Sequence, residues 1–296
     1  MLGEKILGLQ NLRISQELPT PNQFIYLYGD KNYLMILSSI LAAKQAGKKQ
    51  LAVLVDPDKT SDQHLEQLIR TALMAKVDYF FIGGSLLMSD RLEPCLEQIG
   101  RACSIPRILF PGNALMVHPG ADGILLLSLI SGRNPEFLIG QHVIAAPSLK
   151  KSGLEIIPTS YLLIDGGAPT SVTYMSNTTP IPADKADIAQ CTAMAGEMLG
   201  HQLVYLDAGS GARRPIPVAT IQAVSQNVDI PLIIGGGIRN PEAALHATRA
   251  GADLIVVGTA SEYDPMILVE MAEAIRFSTV EDGRATVDGR RSMVDE

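Results

Sequence analysis

The sequence predicts an α/β chain closed into a (β/α)8 TIM barrel, modified so that its third helix is missing or replaced. Three observations lead there. Eight short apolar runs recur along the chain, most of them separated by segments with helical apolar spacing. The runs are nearly continuous in apolar residues rather than alternating, as in strands covered on both faces. They mostly lead into glycine, serine or aspartate, which suits an architecture that builds its site at the C-terminal ends of its strands.

The strands are expected at LAVLVD (51–56), DYFFIG (78–83), RILFP (107–111), DGILLL (122–127), YLLIDG (161–166), LVYLDAG (203–209), PLIIGGG (231–237) and DLIVVG (253–258). The first barrel helix, SDQHLEQLIRTALMA (61–75), opens on a Ser/Asp cap. The others are LEPCLEQIGRAC (92–103), NPEFLIGQHVIAA (134–146), ADKADIAQCTAMAGEMLG (183–200), IPVATIQAVSQN (216–227), NPEAALHATRAG (240–251) and DPMILVEMAEAIR (264–276). Three of these start with Asn-Pro or Asp-Pro, a cap followed by proline at the first helical position. Between RILFP and DGILLL only GNALMVHPGA remains, shorter than the dozen or so residues a crossover helix usually takes. Residues 1–50 read as an N-terminal extension with an added helix in LMILSSILAAKQAGKK (34–49), residues 51–277 as the catalytic barrel, and residues 278–296 as a flexible charged tail.

Composition narrows the function. Hydrophobic residues make up 47% of the 296, enough for a sizeable core. A net charge of −7 with no Lys/Arg block argues against nucleic-acid binding. Cys95, Cys103 and Cys191 show no C-x-x-C spacing, which argues against a zinc knuckle or a disulfide scaffold. The N-terminal stretch MLGEKILGLQNLRIS lacks a signal-peptide core, and no long apolar stretch reads as a membrane span. A cytoplasmic location is expected, with association at a membrane surface left open.

The chemistry should lie at the strand ends. The loops after strands 7 and 8, GGGIRN and GTASE, occupy the place where such barrels commonly hold phosphate, and GSGA after strand 6 adds further N–H groups. Gly235 is assigned to the turn, and Gly236 and Gly237 to the anion as loop N–H groups. Ser210 and Thr259 offer hydroxyls. Asp56 ends strand 1 and Ser85 follows the neighbouring strand 2, oxygen donors of the kind Mg²⁺ prefers, with Asp58 as the competing ligand. Asp207, at the end of strand 6, can accept a proton from a substrate hydroxyl or cap the turn. His64, His118, His142, His201 and His246 form no ligand motif and read as structural or surface groups. Lys59 and the Arg213–Arg214 pair can attract an anion or stand as solvated surface cations.

The ordered set of DPDK, GGS, YLDAGSGA, GGGIRNPEAA and VVGTASE, spread over residues 50 to 275, resembles the geranylgeranylglyceryl phosphate synthases. The longer N-terminal region and the GSGA form resemble the second of that family's two groups, which includes dimers and larger assemblies. The resemblance implies a Mg²⁺-dependent prenyltransferase. It joins a prenyl diphosphate, usually geranylgeranyl diphosphate, to the 3-hydroxyl of sn-glycerol 1-phosphate. It implies Asp56 and Ser85 as metal ligands and a glycerol phosphate site of Tyr205, Leu206, Asp207, Ala208, Gly209, Ser210, Gly211, Gly236, Gly237, Gly258 and Thr259. Asp207 becomes the catalytic base, and the chain a homo-oligomer, dimer or hexamer. Two positions depart from the pattern: many members carry Glu where Asp207 stands, and some carry Lys where Leu54 stands. Tyr161, Met116, Val117 and Tyr174 are candidates to line a prenyl groove. The competing readings are a sugar-phosphate isomerase or synthase on the same barrel and a phosphate-binding protein without catalysis.

Overall fold

The computed structural model describes residues 35–278 with the exception of residue 87; the charged tail expected beyond residue 278 lies outside the described residues. Eight parallel strands close into a barrel in sequential order: β1 (Gln50–Val55), β2 (Tyr79–Gly84), β3 (Arg107–Pro111), β4 (Gly123–Leu129), β5 (Glu155–Leu163), β6 (Leu203–Asp207), β7 (Leu232–Gly235) and β8 (Leu254–Val257). The helices, in order, are α1 (Ile36–Gln45), α2 (Asp62–Ala75), α3 (Leu92–Ala102), α4 (Gln141–Ser152), α5 (Ser171–Ser176), α6 (Ala186–Met198), α7 (Val218–Ser225), α8 (Pro241–Arg249) and α9 (Thr259–Tyr263). A last helix occupies 267–278.

The caps form as the sequence requires. The Ser61 hydroxyl accepts from the His64 N–H and opens α2, and the Asn240 carboxamide accepts from the Ala243 N–H ahead of Pro241. Helix α2 then buries Leu65, Leu68, Ile69, Ala72 and Ala75, a stripe at three- and four-residue spacing that packs on the sheet. Alternate strand residues point inward to a separate barrel core that includes Phe81, Leu125, Tyr161, Tyr205 and Ile233. Helix α1 contributes Ile36 and Ile40 to that core. Its first N–H groups, of Ile36 and Leu37, donate to the Glu155 carboxylate at 2.5 and 2.9 Å, so a residue at the start of β5 caps a helix 118 positions earlier.

Three elements differ from their sequence reading. Strand β5 starts at Glu155, ahead of the expected YLLIDG run, because Thr159 and Ser160 are fully buried in the wall and Pro158 is accommodated within the strand. Helix α4 follows a single π-turn (Glu136–Gly140) and continues through Pro147 to Ser152, where the sequence placed its end at 146. Buried Ala145 and Leu149 anchor it on both sides of the proline, and Gly153 closes it at φ 72°. Helix α5 was not expected at all; Thr170 caps it through the Thr173 N–H.

The third helix is missing: residues 112–122 cross as bends and turns, hereafter the strap. The sheet responds. β4 stays in register with β5 from Gly123 opposite Glu155 to Leu129 opposite Tyr161, whereas β3 meets it at Ile108 with Gly123 and Leu109 with Ile124. Above those two pairs β3 and β4 are no longer paired, and the connection between them holds no helix.

Candidate active site

The loops after β6 and β7 meet at the top of the barrel. Gly236 and Gly237 have φ of 74° and 71°, a left-handed conformation that favours glycine. A Cβ on Gly236 would lie 2.5 Å from Asp207 Oδ1 and 2.7 Å from the backbone nitrogens of Ala208 and Gly209. On Gly237 it would meet the Arg214 carbonyl oxygen at 2.7 Å. The bare backbone is therefore what lets the two loops close into one cup. Gly235 serves differently from its turn assignment: the Tyr205 hydroxyl packs directly against it, so the close approach of that ring demands glycine. Gly258 stands apart from this contact, with the Leu54 side chain 3.6 Å from its would-be Cβ, and Thr259 opens α9. Ser210 and Gly211 are exposed at the rim, while the Leu206 side chain faces the outer helix layer.

Asp207 closes β6 and is 8% exposed. Its Oδ2 accepts from the Tyr161 hydroxyl at 2.6 Å and its Oδ1 from the Gly209 N–H at 2.7 Å. Burial pushes its carboxyl above the usual aspartate range, and the two hydrogen bonds pull against that rise. Burial, reinforced by the Asp207 charge, holds the Tyr161 phenol well above 10, so Tyr161 is a donor and Asp207 the group able to take a proton. An aromatic platform fixes the pair: Tyr161 packs on Tyr205 and Phe110 at centroid distances of 5.6 and 6.0 Å, and Phe110 on Phe81 at 6.4 Å. Sequence reasoning had placed Tyr161 in the groove and missed its bond to Asp207. The signal was topological, since β5 and β6 are neighbours that pair Leu163 with Asp207.

On the far side of the mouth, Asp56 follows β1. Its Oδ2 sits 2.6 Å from Lys59 Nζ, its Oδ1 accepts from the Asp58 N–H at 3.1 Å, and a Cβ on Gly84 would lie 3.2 Å from it. Asp58, the competing ligand, is turned away: its carboxylate accepts from the Met88 N–H and the Ser89 hydroxyl. Glu262, on α9, is half-buried; burial raises its carboxyl, the Lys59 charge lowers it and the Asp56 charge raises it. It faces Asp56 because β8 pairs with β1. Sequence reasoning passed over it inside GTASE. Among the described residues no group of three or more His, Cys, Asp or Glu side chains converges. Asp56 is one oxygen donor at the mouth, and Ser85 follows Gly84, which lies against its carboxylate; a hard cation needs few protein oxygens of this kind.

A groove runs from Gly84 and Ser85 through the parted seam, past Phe110, Tyr161 and Leu127, to Ala145 and Leu149 on α4. Its lining is mainly apolar, as ligand sites usually are. Val117 lines it. Met116, itself in the strap, is instead buried, with Sδ accepting from the Gly112 N–H at 3.2 Å, and Tyr174 is 86% exposed. His142, read as structural or surface, stands in the groove wall.

No helix among the described residues is long and apolar enough to cross a membrane. The family model for the PcrB family matches residues 44–275. A geranylgeranylglyceryl phosphate synthase of Chitinophaga pinensis is 55% identical over 240 residues, 81% of this chain and 95% of that protein. One from Korarchaeum cryptofilum is 39% identical, covering 79% and 97%. The crystal structure of (S)-3-O-geranylgeranylglyceryl phosphate synthase from Thermoplasma acidophilum with its substrate sn-glycerol-1-phosphate matches at TM-score 0.77 and 34% identity, over 82% of this chain and 99% of that one. The resemblance carried by the strand-end motifs thus holds along the whole barrel, and the chain belongs to the PcrB family.

Proposed function

We propose that this protein transfers the prenyl group of a prenyl diphosphate, geranylgeranyl diphosphate in the name of its relatives, to the 3-hydroxyl of sn-glycerol 1-phosphate. The observation that carries the reading is the position of Asp207. It lies between a cup of glycine backbone and an apolar groove, and Tyr161 belongs to both the groove lining and the Asp207 hydrogen bond.

In this reading the cup formed by 208–211 and Gly236–Gly237 binds the glycerol phosphate through N–H groups, helped by Gly258 and Thr259. Leu54 offers no charge there, so the backbone carries more of the anion. Tyr205 and Leu206 act as the buried strand end that fixes Asp207. The carbon–oxygen bond of the prenyl diphosphate breaks, and diphosphate leaves with the electron pair. The glycerol O3 forms the new ether bond, and its proton passes to Asp207. Burial favours that transfer, because a carboxyl raised above the usual range holds the proton more firmly. The platform under Asp207 contributes orientation. Asp56 and Ser85 would hold Mg²⁺, with the ion taking the place that the Lys59 ammonium holds at Asp56 Oδ2. Mg²⁺, when bound, neutralises charge on the departing diphosphate. The same reading places the enzyme in the cytoplasm, next to the membrane that receives its lipid product.

A sugar-phosphate isomerase would share the cup but leave the apolar groove without a use. Labelled sn-glycerol 1-phosphate incubated with geranyl, farnesyl and geranylgeranyl diphosphates, with and without Mg²⁺, separates the readings. Lipid-soluble label that requires Mg²⁺ is expected; its absence with every prenyl diphosphate overturns the proposal.

A further inference from the structure

The groove leaves the barrel through the seam between β3 and β4, so its two ends differ. Gly84, Ser85, Phe110 and Tyr161 surround the inner end, where Tyr161 reaches Asp207. The outer end lies against α4, on which Gln141, His142, Ala145 and Leu149 share one face. Gln141 spans the gap to the strap: its Oε1 accepts from the Ala114 N–H at 2.8 Å, and its Nε2 donates to Glu136 Oε1 at 2.8 Å. His142 spans the gap to the sheet: its Nε2 and the Ser128 hydroxyl of β4 are 3.2 Å apart. Two consecutive residues on one helical turn therefore tie both walls of the groove to α4, in the stretch where no third helix does so.

We propose, building on the prenyltransferase reading, that Gln141 and His142 are specificity-determining residues that gauge the groove for long prenyl chains. A short chain ends within the barrel mouth and does not reach them. A long one must pass between strap, β4 and α4, and gains contact along its outer half only while the walls are held at a fixed separation. Loss of Gln141 frees the strap and leaves the Ala114 N–H without its acceptor. The ordering of the wall is then charged against the long chain alone.

The test compares Gln141→Leu and His142→Leu with wild type, using geranyl and geranylgeranyl diphosphates at saturating sn-glycerol 1-phosphate and Mg²⁺. For Gln141→Leu the ratio of kcat/KM for the long over the short chain is expected to fall about ten-fold, through KM for the long chain. That is the equivalent of one partly buried hydrogen bond lost, about 1.4 kcal/mol. His142→Leu lowers the same ratio, and in both variants KM for glycerol phosphate stays within about two-fold of wild type, since the cup is untouched. An unchanged ratio in both variants overturns the inference, as does an equal loss for both chain lengths, which marks a purely structural role. Wild-type turnover with neither prenyl diphosphate overturns the functional reading itself; wild-type turnover with an unmoved ratio overturns only this one.

Discussion

Replacing Tyr161 by Phe removes one oxygen atom and keeps the ring that packs on Tyr205 and Phe110. The oxygen lost is the donor 2.6 Å from Asp207 Oδ2, inside a buried pair. A hydrogen bond to a charged group of this kind is worth roughly 1.5–3 kcal/mol. One pKa unit corresponds to about 1.4 kcal/mol, so Asp207 should bind its proton about one to two units more tightly in the variant. The sign follows from the carboxylate: the bond to Tyr161 stabilises the ionised form and lowers the pKa, so its loss adds to the rise already caused by burial. As base, Asp207 works only when ionised. The acid limb of the kcat/KM profile should therefore move up by about one to two pH units, with a smaller loss on the alkaline plateau. Initial rates from pH 5 to pH 9 with subsaturating glycerol phosphate read this directly. An acid limb that stays in place while the plateau falls would show that Tyr161 only packs, or that Asp207 is not the base.

Gly236→Ala places a methyl 2.5 Å from Asp207 Oδ1 at φ 74° and should raise KM for glycerol phosphate at least ten-fold, whereas Gly200→Ala, just after α6 at φ 90° with nothing within 4 Å, should cost about 1 kcal/mol of stability and little activity. Comparing the two variants by kinetics and thermal melting checks this. Asp207→Asn should lose turnover by orders of magnitude yet melt higher at neutral pH. A carboxyl raised by burial favours the fold most below the unfolded-state pKa and loses that contribution as pH rises through the folded value, so removing its charge recovers stability, roughly 2–4 °C for each kcal/mol. The gain should vanish in melts at pH 3 to 4 if the account holds. Chelation by EDTA should abolish turnover reversibly, and Asp56→Asn should raise the Mg²⁺ concentration for half-maximal rate by about ten-fold or more, measured by titration.

The sequence already determined the alternation of strands and helices, because continuous apolar runs and capped amphipathic segments are local patterns with fixed periods. It also determined the absence of a helix between RILFP and DGILLL, since ten residues cannot cross the sheet as one. The strand-end motifs that mark the PcrB family were legible for a related reason: glycines at φ of 74° and 71° and a carboxylate at a strand terminus are local requirements. Tertiary structure alone decided the rest. Tyr161 and Asp207 stand 46 positions apart, and only strand pairing brings the phenol to the carboxylate. Pro158 hid the first half of β5, and Pro147 the last turn of α4, because burial on both sides outweighed a local breaker. The groove has no sequence motif, for it arises where β3 and β4 part above Leu109 and Ile124 and the connection between them holds no helix. A cavity of that kind is a property of how layers fail to meet, and spacing along the chain does not encode it.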